Sequence, residues 1–218
     1  MLRKTLGAAI AALIMTMLAG CASFPQDQLA AATLPDVSAF QNKPRVFVDV
    51  KLFRGEPGTA DAVDMTAAVA KEITPTIESV LADSKMFASY TLDKFQQEQT
   101  DATIQLHFYN YGNGGGAAIS GFISGFTFGV IPGAATDHYA LQAKVIGRDG
   151  VESASYRNDE AIRTWIGIWF IPAAGNTPQK AVAEVFGNMT RDALRSMVEN
   201  KQLIYSALER HRDASIAP

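Results

Sequence analysis

The chain has 218 residues, with 19 Lys and Arg against 22 Asp and Glu, which gives a formal net charge of −3. Hydrophobic residues make up 48% and charged residues 19%, a composition that excludes a disordered chain. The charge gives no electrostatic reason to expect a nucleic-acid partner. The single cysteine excludes an internal disulfide and a cysteine-based zinc site.

The first twenty residues predict a cleaved export signal. Arg3 and Lys4 form a short basic start, and an uncharged apolar run extends over residues 6–18. This length is typical of a signal peptide and falls short of the roughly 20 apolar residues that cross a bilayer. We therefore expect residues 1–20 to be absent from the mature protein.

The signal ends in the sequence Leu18-Ala19-Gly20-Cys21, which resembles the lipobox of bacterial lipoproteins. The resemblance implies cleavage before Cys21 and a diacylglycerol on its thiol, with acyl chains such as palmitate holding the protein to a membrane. Residues 22 and 23 are Ala and Ser, with no Asp beside the cysteine. By resemblance to the sorting rule of enteric bacteria, this implies the cell outer membrane, with the domain facing the periplasm. The alternative is an ordinary secretory signal with a chance cysteine.

Residues 21–44 predict the lipidated cysteine followed by a tether. The segment contains Pro25, Pro35 and Pro44 and shows no sustained hydrophobic period. Such a segment would let the folded part stand clear of the bilayer.

Residues 45–210 predict a single folded domain, whose first half contains a helix between strands. Hydrophobic alternation predicts a strand over residues 45–53. An apolar stripe predicts a helix over residues 61–83, with Thr59 or Asp61 as its N-cap and Pro75 as a kink or a break. A weaker strand pattern covers residues 86–95, and a stronger one covers residues 102–111.

The second half of the domain predicts a hairpin and a closing helix. A strand over residues 139–147 leads to a tight turn at Arg148-Asp149-Gly150, and residues 151–170 return as one strand or two. Thr177 and Pro178 predict the start of a helix that extends to about residue 208. Residues 211–218 form a frayed tail. The fold expected is α+β, with one antiparallel or mixed sheet, two amphipathic helices on one face, and an apolar Gly-rich insertion.

This order of elements is similar to the small α/β domain of several periplasmic lipoproteins and to the amino-terminal domain of the Tol-system propeller protein. The curli secretion-channel lipoprotein contains a related domain. The resemblance concerns topology and does not involve a sequence motif.

Two charge-free apolar segments, residues 112–136 and 164–179, stand out from the rest of the chain. The first is rich in Gly and Phe, and both contain a hydrophobic run that ends in Ile-Pro. Together with the lipobox and a Tyr-Xaa-Leu strand at Tyr139, these segments resemble small uncharacterised lipoproteins of Gram-negative bacteria. That resemblance implies neither catalytic residues nor a particular activity.

Three structures are compatible with the apolar segments. They could form a buried hairpin in the sheet, although six glycines make the first a poor interior strand. Gly121, Gly125 and Gly129 recur every four residues, as in helices that pack closely in lipid, which favours a hairpin dipping into the membrane. An exposed patch that docks a partner or a lipid-like ligand is the third possibility. The predicted contact residues are Phe122, Phe126, Phe128, Trp165 and Trp169.

The sequence predicts no catalytic site, metal site or cofactor. His107, His138 and His211 have no metal-ligand spacing, and no Gly-Xaa-Ser-Xaa-Gly nucleophile motif is present. The function predicted is therefore a non-enzymatic outer-membrane lipoprotein, an envelope interaction or assembly module that uses its apolar hairpin to bind a membrane, an envelope protein or another copy of itself. The alternatives are a carrier of lipid or another apolar small molecule, and an envelope hydrolase.

Overall fold

The computed structural model describes residues 21–34, 36–37, 42–112, 132–173 and 175–200. Two helices lie in this part of the chain, α1 over Thr66–Ser84 and α2 over Pro178–Glu199, together with two 3-10 helices, Lys94–Gln99 and Ile168–Ala173. The strands are β1 Cys21–Pro25, β2 Arg45–Arg54, β3 Val63–Asp64, β4 Ser89–Thr91, β5 Ala102–Asn110, β6 Gly133–Gly147 and β7 Glu152–Ile166.

The strands form one mixed sheet in the order β1-β7-β6-β5-β2-β3, with β4 also paired to β2. β2 is parallel to β5, whereas β5 and β6 are antiparallel. The parallel pair needs a long crossover, and α1 lies within it. The predicted α+β class with a single mixed sheet is confirmed.

The core lies on one face of the sheet because alternate residues of each strand point the same way. In register across β2, β5 and β6, Val48 lies opposite Ile104, and Ile104 opposite Val145, and all three are buried. α2 covers this face, where Phe186 stacks on Phe108 with ring centroids 4.5 Å apart. α1 lies beside α2, since a Cβ atom at Gly187 of α2 would be 3.5 Å from the Thr76 methyl group of α1.

The helices differ from their predicted bounds mainly at the start of α1. This helix begins at Thr66, where Asp64 accepts a hydrogen bond from the Thr66 backbone N–H at 2.8 Å, so neither Thr59 nor Asp61 is its cap. Pro75 lies inside α1 and does not divide it. The predicted cap of α2 is confirmed, because the Thr177 hydroxyl accepts from the Lys180 N–H at 3.3 Å. Residues 201–218, including the predicted tail, lie outside the described residues.

Three strand predictions are also corrected. The strand expected over residues 86–95 is replaced by the short β4 and a 3-10 helix that Asp93 caps. β6 begins at Gly133, six residues before the predicted start. β7 ends at Ile166, and a 3-10 helix over Ile168–Ala173 takes the place of the expected strand end. Gly167 separates the two elements, and glycine weakens a strand interior.

The tether predicted over residues 21–44 is wrong for its described part. Cys21–Pro25 is a strand paired antiparallel to β7, and Ala32 and Val37 are buried. Side chains of Glu160 and Asn188 also accept hydrogen bonds from backbone N–H groups in this segment, a type of contact that requires no hydrophobic period.

The chain divides into two compact units, rather than one domain over residues 45–210. Unit 1 contains residues 21–26, 112–138 and 161–182, and unit 2 contains residues 27–111, 139–160 and 183–218. None of the helices in the described part of the chain is both long and apolar enough to cross a membrane.

Candidate functional site

Cys21, the predicted lipidation residue, is exposed at the start of β1 in unit 1. The register of β1 on β7 places it opposite Ile166. Two residues on, Ser23 is buried; its hydroxyl shares a hydrogen bond of 2.8 Å with the Thr164 hydroxyl, and its N–H donates to the Asn176 carbonyl at 2.8 Å. The position of Cys21 on unit 1 is therefore fixed by pairing.

The 3-10 helix Ile168–Ala173, here called the aromatic turn, lies against β1. Its exposed face carries Trp169, which is 65% exposed, and Ile171, which is 39% exposed. The turn is bounded by backbone hydrogen bonds from Phe170 to Gly167 at 3.2 Å and from Asn176 to Ala173 at 2.9 Å. Unit 1 thus presents a large aromatic side chain on the element that packs beside the cysteine strand.

Trp165 occupies a different environment from Trp169. The Arg163 guanidinium lies 4.6 Å above the Trp165 ring, and Phe170 stacks on this ring at 5.4 Å with an interplanar angle of 27°. This packing leaves Trp165 only partly exposed. Of the two predicted tryptophan contacts, Trp169 is therefore the accessible one, and Trp165 helps to hold the aromatic turn.

The other predicted contacts, Phe122, Phe126 and Phe128, lie outside the described residues. The ends of their segment are described and meet in unit 1. A Cβ atom at Gly112 would be 2.6 Å from the Asp137 carboxylate and 3.1 Å from the Asp137 Cα. A side chain at residue 112 would force Asp137 to shift, so Gly112 and Asp137 lie directly beside each other in unit 1.

Unit 1 is nearly free of charge. Outside residues 1–20, its ranges contain only Asp137, Arg163 and Lys180 as charged residues. Arg3 and Lys4 lie within residues 1–20, so the ranges of unit 2 hold the other 21 acidic residues and the remaining 15 basic residues, a formal charge of −6. The candidate lipidation residue, the aromatic turn and both ends of the first apolar segment thus share the weakly charged unit.

Unit 2 carries polar networks on the sheet face opposite the core. The His107 ring is hydrogen-bonded to Asp49 at 3.3 Å, and this bond is the main reason that the pKa of Asp49 is lowered. Arg157 donates to Asp159 at 2.8 Å, which lowers the pKa of Asp159. Burial, together with its hydrogen bond to Asp159, raises the pKa of Tyr111. Within the described residues, no three His, Cys, Asp or Glu side chains are grouped to hold a metal ion.

A cleft of about 370 Å³ in unit 2 bears on the carrier hypothesis. Its lining includes Gln97, Thr100, Thr103 and Arg148, and its residues all lie outside the two apolar segments. All four of these side chains are already hydrogen-bonded. Gln97 donates to the Thr103 hydroxyl at 3.1 Å, Thr100 donates to the Gln97 carbonyl at 2.6 Å, and Arg148 donates to a backbone carbonyl at 3.2 Å.

The sequence analysis does not identify two residues, Glu160 and Asn188, whose side chains accept hydrogen bonds from backbone N–H groups of residues 28, 29 and 32. Glu160 directly follows another acid, Asp159, in β7. Adjacent residues of a strand point to opposite faces of the sheet, so two neighbouring acids in a strand cannot both lie on its solvent-exposed face. This alternation is the sequence signal that one of the two acids is buried. No comparable signal marks Asn188.

No protein-family model and no curated protein matches the sequence. Among solved structures, the PelC dodecamer from Paraburkholderia phytofirmans in space group P6 has a TM-score of 0.33 and 9% identity, covering 80% of this chain and 97% of that chain. A point variant of the same dodecamer, in space group C2, has a TM-score of 0.30 and 9% identity, covering 81% and 96%. At these values nothing about the assembly or function of PelC carries over to this chain.

Proposed function

We propose that this protein is a non-enzymatic lipoprotein of the outer membrane, facing the periplasm, in which unit 1 is an interaction module. Cys21 carries the diacylglycerol anchor. Trp169 and the apolar segment with Phe122, Phe126 and Phe128 form the contact surface. Its partner is the membrane, an envelope protein or a second copy of the chain.

The observation that carries this proposal is the division of charge between the units. Three charged residues lie in the mature ranges of unit 1, against 36 in those of unit 2. Contact surfaces are depleted in charge and enriched in Trp and Phe, and the same aromatic residues favour the membrane interface. The exposed Trp169 on this unit fits both uses.

Trp169 also lies close in the chain to the strand that pairs with Cys21. Ile166, the partner of Cys21 in the register, precedes Trp169 by three residues. A lipid on Cys21 would therefore bring the bilayer to the part of unit 1 that bears the aromatic turn. An anchored protein with this turn would meet its partner at the membrane surface.

The anchor is tested by expressing the full chain in a Gram-negative host. We expect the purified protein to begin at Cys21 and to carry the mass of its acyl groups, and the Cys21→Ser variant to lack both. Intact-protein mass spectrometry and membrane fractionation provide the readouts. An unmodified thiol at Cys21 in a correctly exported protein would contradict the anchor.

The contact surface is tested by flotation of a lipid-free form that begins at Ala22. We expect it to float with vesicles, and Trp169→Ser to bind at least about tenfold more weakly, because burial of a large apolar side chain contributes about 1.5–3 kcal/mol. Phe126→Ser should also weaken binding. Phe95→Ser is the matched control, since Phe95 is 94% exposed but lies in unit 2.

Equal loss of binding in Trp169→Ser and Phe95→Ser would contradict a contact surface on unit 1. Circular dichroism and thermal melting should show that each variant stays folded. Unfolding of Phe126→Ser would instead place its segment in a core. Failure of the wild-type form to float would leave an envelope protein or a second copy as the partner. The carrier alternative predicts co-purified lipid, which extraction and mass spectrometry would detect.

A further inference from the structure

The polar cleft of unit 2 lies at one end of the sheet, where β5 begins and β6 ends. Thr103 and Ile146 both line it and are opposite each other in the register. The 3-10 helix Lys94–Gln99 and the turn between β6 and β7 supply the rest of its lining, together with Thr100. Its volume of about 370 Å³ falls within the range of about 300–1,000 Å³ that small-molecule sites occupy.

Hydrogen bonds hold both sides of this cleft in place. On the side of the 3-10 helix, the Gln97 amide donates to the Thr103 hydroxyl at 3.1 Å, and the Thr100 hydroxyl donates to the Gln97 carbonyl at 2.6 Å. In the turn, the Gly147 N–H donates to the Val151 carbonyl at 2.9 Å. A site that is ordered before its ligand arrives loses less conformational entropy on binding.

Arg148 is the one cation among the residues that line the cleft. Its Nη2 donates to the backbone carbonyl of Glu98 at 3.2 Å, which joins the turn to the 3-10 helix. In the described part of the chain, no carboxylate forms an ion pair with Arg148. A guanidinium has five N–H donors in a planar fork, so most of its donors remain available to a ligand.

Three acids lie near Arg148, and they differ in how far their charge is balanced. Asp101 is paired with Arg45, whose Nη2 and Nε lie 2.9 Å and 3.3 Å from its two oxygens. Asp149 accepts a backbone N–H of the turn at 3.0 Å. Glu98 lines the cleft and is exposed. An anion that binds Arg148 must therefore avoid the carboxylate of Glu98, which favours a ligand with a single negative charge.

We propose that this cleft binds a small organic carboxylate that carries a neighbouring hydroxyl group. The planar fork of Arg148 matches the two oxygens of a carboxylate. The side-chain oxygen of Gln97 accepts no hydrogen bond in the described contacts and is available to the ligand hydroxyl. The site lies within unit 2, so this activity goes beyond the proposed function and depends on neither the lipid anchor nor the contact surface.

The ligand class is tested with lactate as the probe and lactamide as its neutral counterpart, on the full chain in detergent at constant ionic strength. The amide resonances of Gly147 and Gly150 report binding in nuclear magnetic resonance spectra. Because Arg148 is exposed to solvent, we expect saturable shifts with a dissociation constant on the order of 1 mM for lactate. Lactamide should bind at least about tenfold more weakly. Equal binding of the two probes, or shifts that do not saturate, would overturn the proposal.

The role of Arg148 is tested by replacing it with Gln and with Lys. We expect Arg148→Gln to weaken lactate binding at least about tenfold and Arg148→Lys to weaken it less, because lysine keeps the charge and lacks the planar fork. Arg54→Gln is the matched control, since Arg54 is exposed in unit 2 and does not line the cleft. Unchanged binding in Arg148→Gln, or equal weakening in Arg54→Gln, would overturn the site.

The acid that lines the cleft provides a variant with the opposite expected effect. Glu98→Gln removes a negative charge beside Arg148 and leaves the backbone carbonyl that positions the guanidinium. We expect lactate to bind about as tightly or more tightly in this variant, and thermal melting to show that it stays folded. A loss of lactate binding in folded Glu98→Gln would overturn recognition of an anion by Arg148. The same loss would instead indicate a ligand that carries a positive charge.

Discussion

At the residue scale, two neighbouring acids show how position on a strand decides chemistry. Asp159 is partly exposed and pairs with Arg157 and Tyr111, whereas Glu160 is buried and holds backbone N–H groups of residues about 130 positions away. The alternation of β7 separates them. The identity of the residues that meet Glu160 could not be read from the sequence, because no local pattern marks residues 28 and 29.

The hydrogen bond between Asp49 and His107 predicts a pH-dependent contribution to stability. The pKa of Asp49 is lowered in the folded state, so the contribution is present above the ordinary Asp value near 4 and is lost as pH falls through the folded pKa. We expect Asp49→Asn to lower the free energy of unfolding by about 1 kcal/mol at pH 7, with a smaller difference near pH 3. Urea denaturation at both pH values measures it.

The control for this measurement is Asp83→Asn, because Asp83 is exposed. We expect it to change stability little at either pH. A destabilisation by Asp49→Asn that is equal at both pH values would show that packing, and not ionisation, is responsible.

At the element scale, the two helices approach closely at Gly187. A Cβ atom there would meet the Thr76 methyl group and the Arg191 guanidinium at 3.5 Å, which is ordinary van der Waals contact. The site therefore has room for one methyl group and no more. The amphipathic patterns predicted both helices, but the point at which they cross depends on how each packs on the sheet.

We expect Gly187→Ala to raise the free energy of unfolding by up to about 1 kcal/mol, because alanine favours a helix over glycine by that amount. Gly187→Leu should lower it by about 1–3 kcal/mol, since the longer side chain would displace Thr76. Thermal melting of both variants checks the pair. A marked loss of stability in Gly187→Ala would mean that the space around Gly187 is smaller than the 3.5 Å distances from its Cβ position indicate.

At the scale of the whole molecule, charge is divided unevenly between the two units. Outside residues 1–20, the ranges of unit 1 hold three charged residues, whereas the ranges of unit 2 carry a formal charge of −6. An acidic unit is repelled by anionic lipid over about a Debye length. With only three charged residues outside residues 1–20, unit 1 would make the proposed membrane contact mainly through apolar side chains.

The same flotation measurement on the lipid-free form also tests how vesicle binding depends on salt concentration. We expect binding to vesicles of zwitterionic lipid to change little between low and high salt. Binding to anionic vesicles should strengthen as salt rises and screens the acidic unit. Weakening with salt would show that Arg163 and Lys180 attract the membrane electrostatically, contrary to an apolar contact through Trp169.

By itself, the sequence determined the elements whose pattern is local. β2, β5 and the hairpin of β6 and β7 follow from alternation, and the two helices follow from apolar stripes, because periods of 2 and 3.6 residues are properties of neighbouring positions. The α+β class follows from their order. The predicted export signal and the lipobox resemblance at Cys21 also rest on local features of the sequence.

Only the tertiary structure decided how residues 21–32 are held and which tryptophan is accessible. Pairing of Cys21 with Ile166 joins positions 145 residues apart, and Glu160 and Asn188 hold backbone groups of residues 28–32. Trp165 is packed between Arg163 and Phe170, while Trp169 is exposed. Such contacts depend on where distant residues meet after folding, so composition, spacing and periodicity do not encode them in readable form.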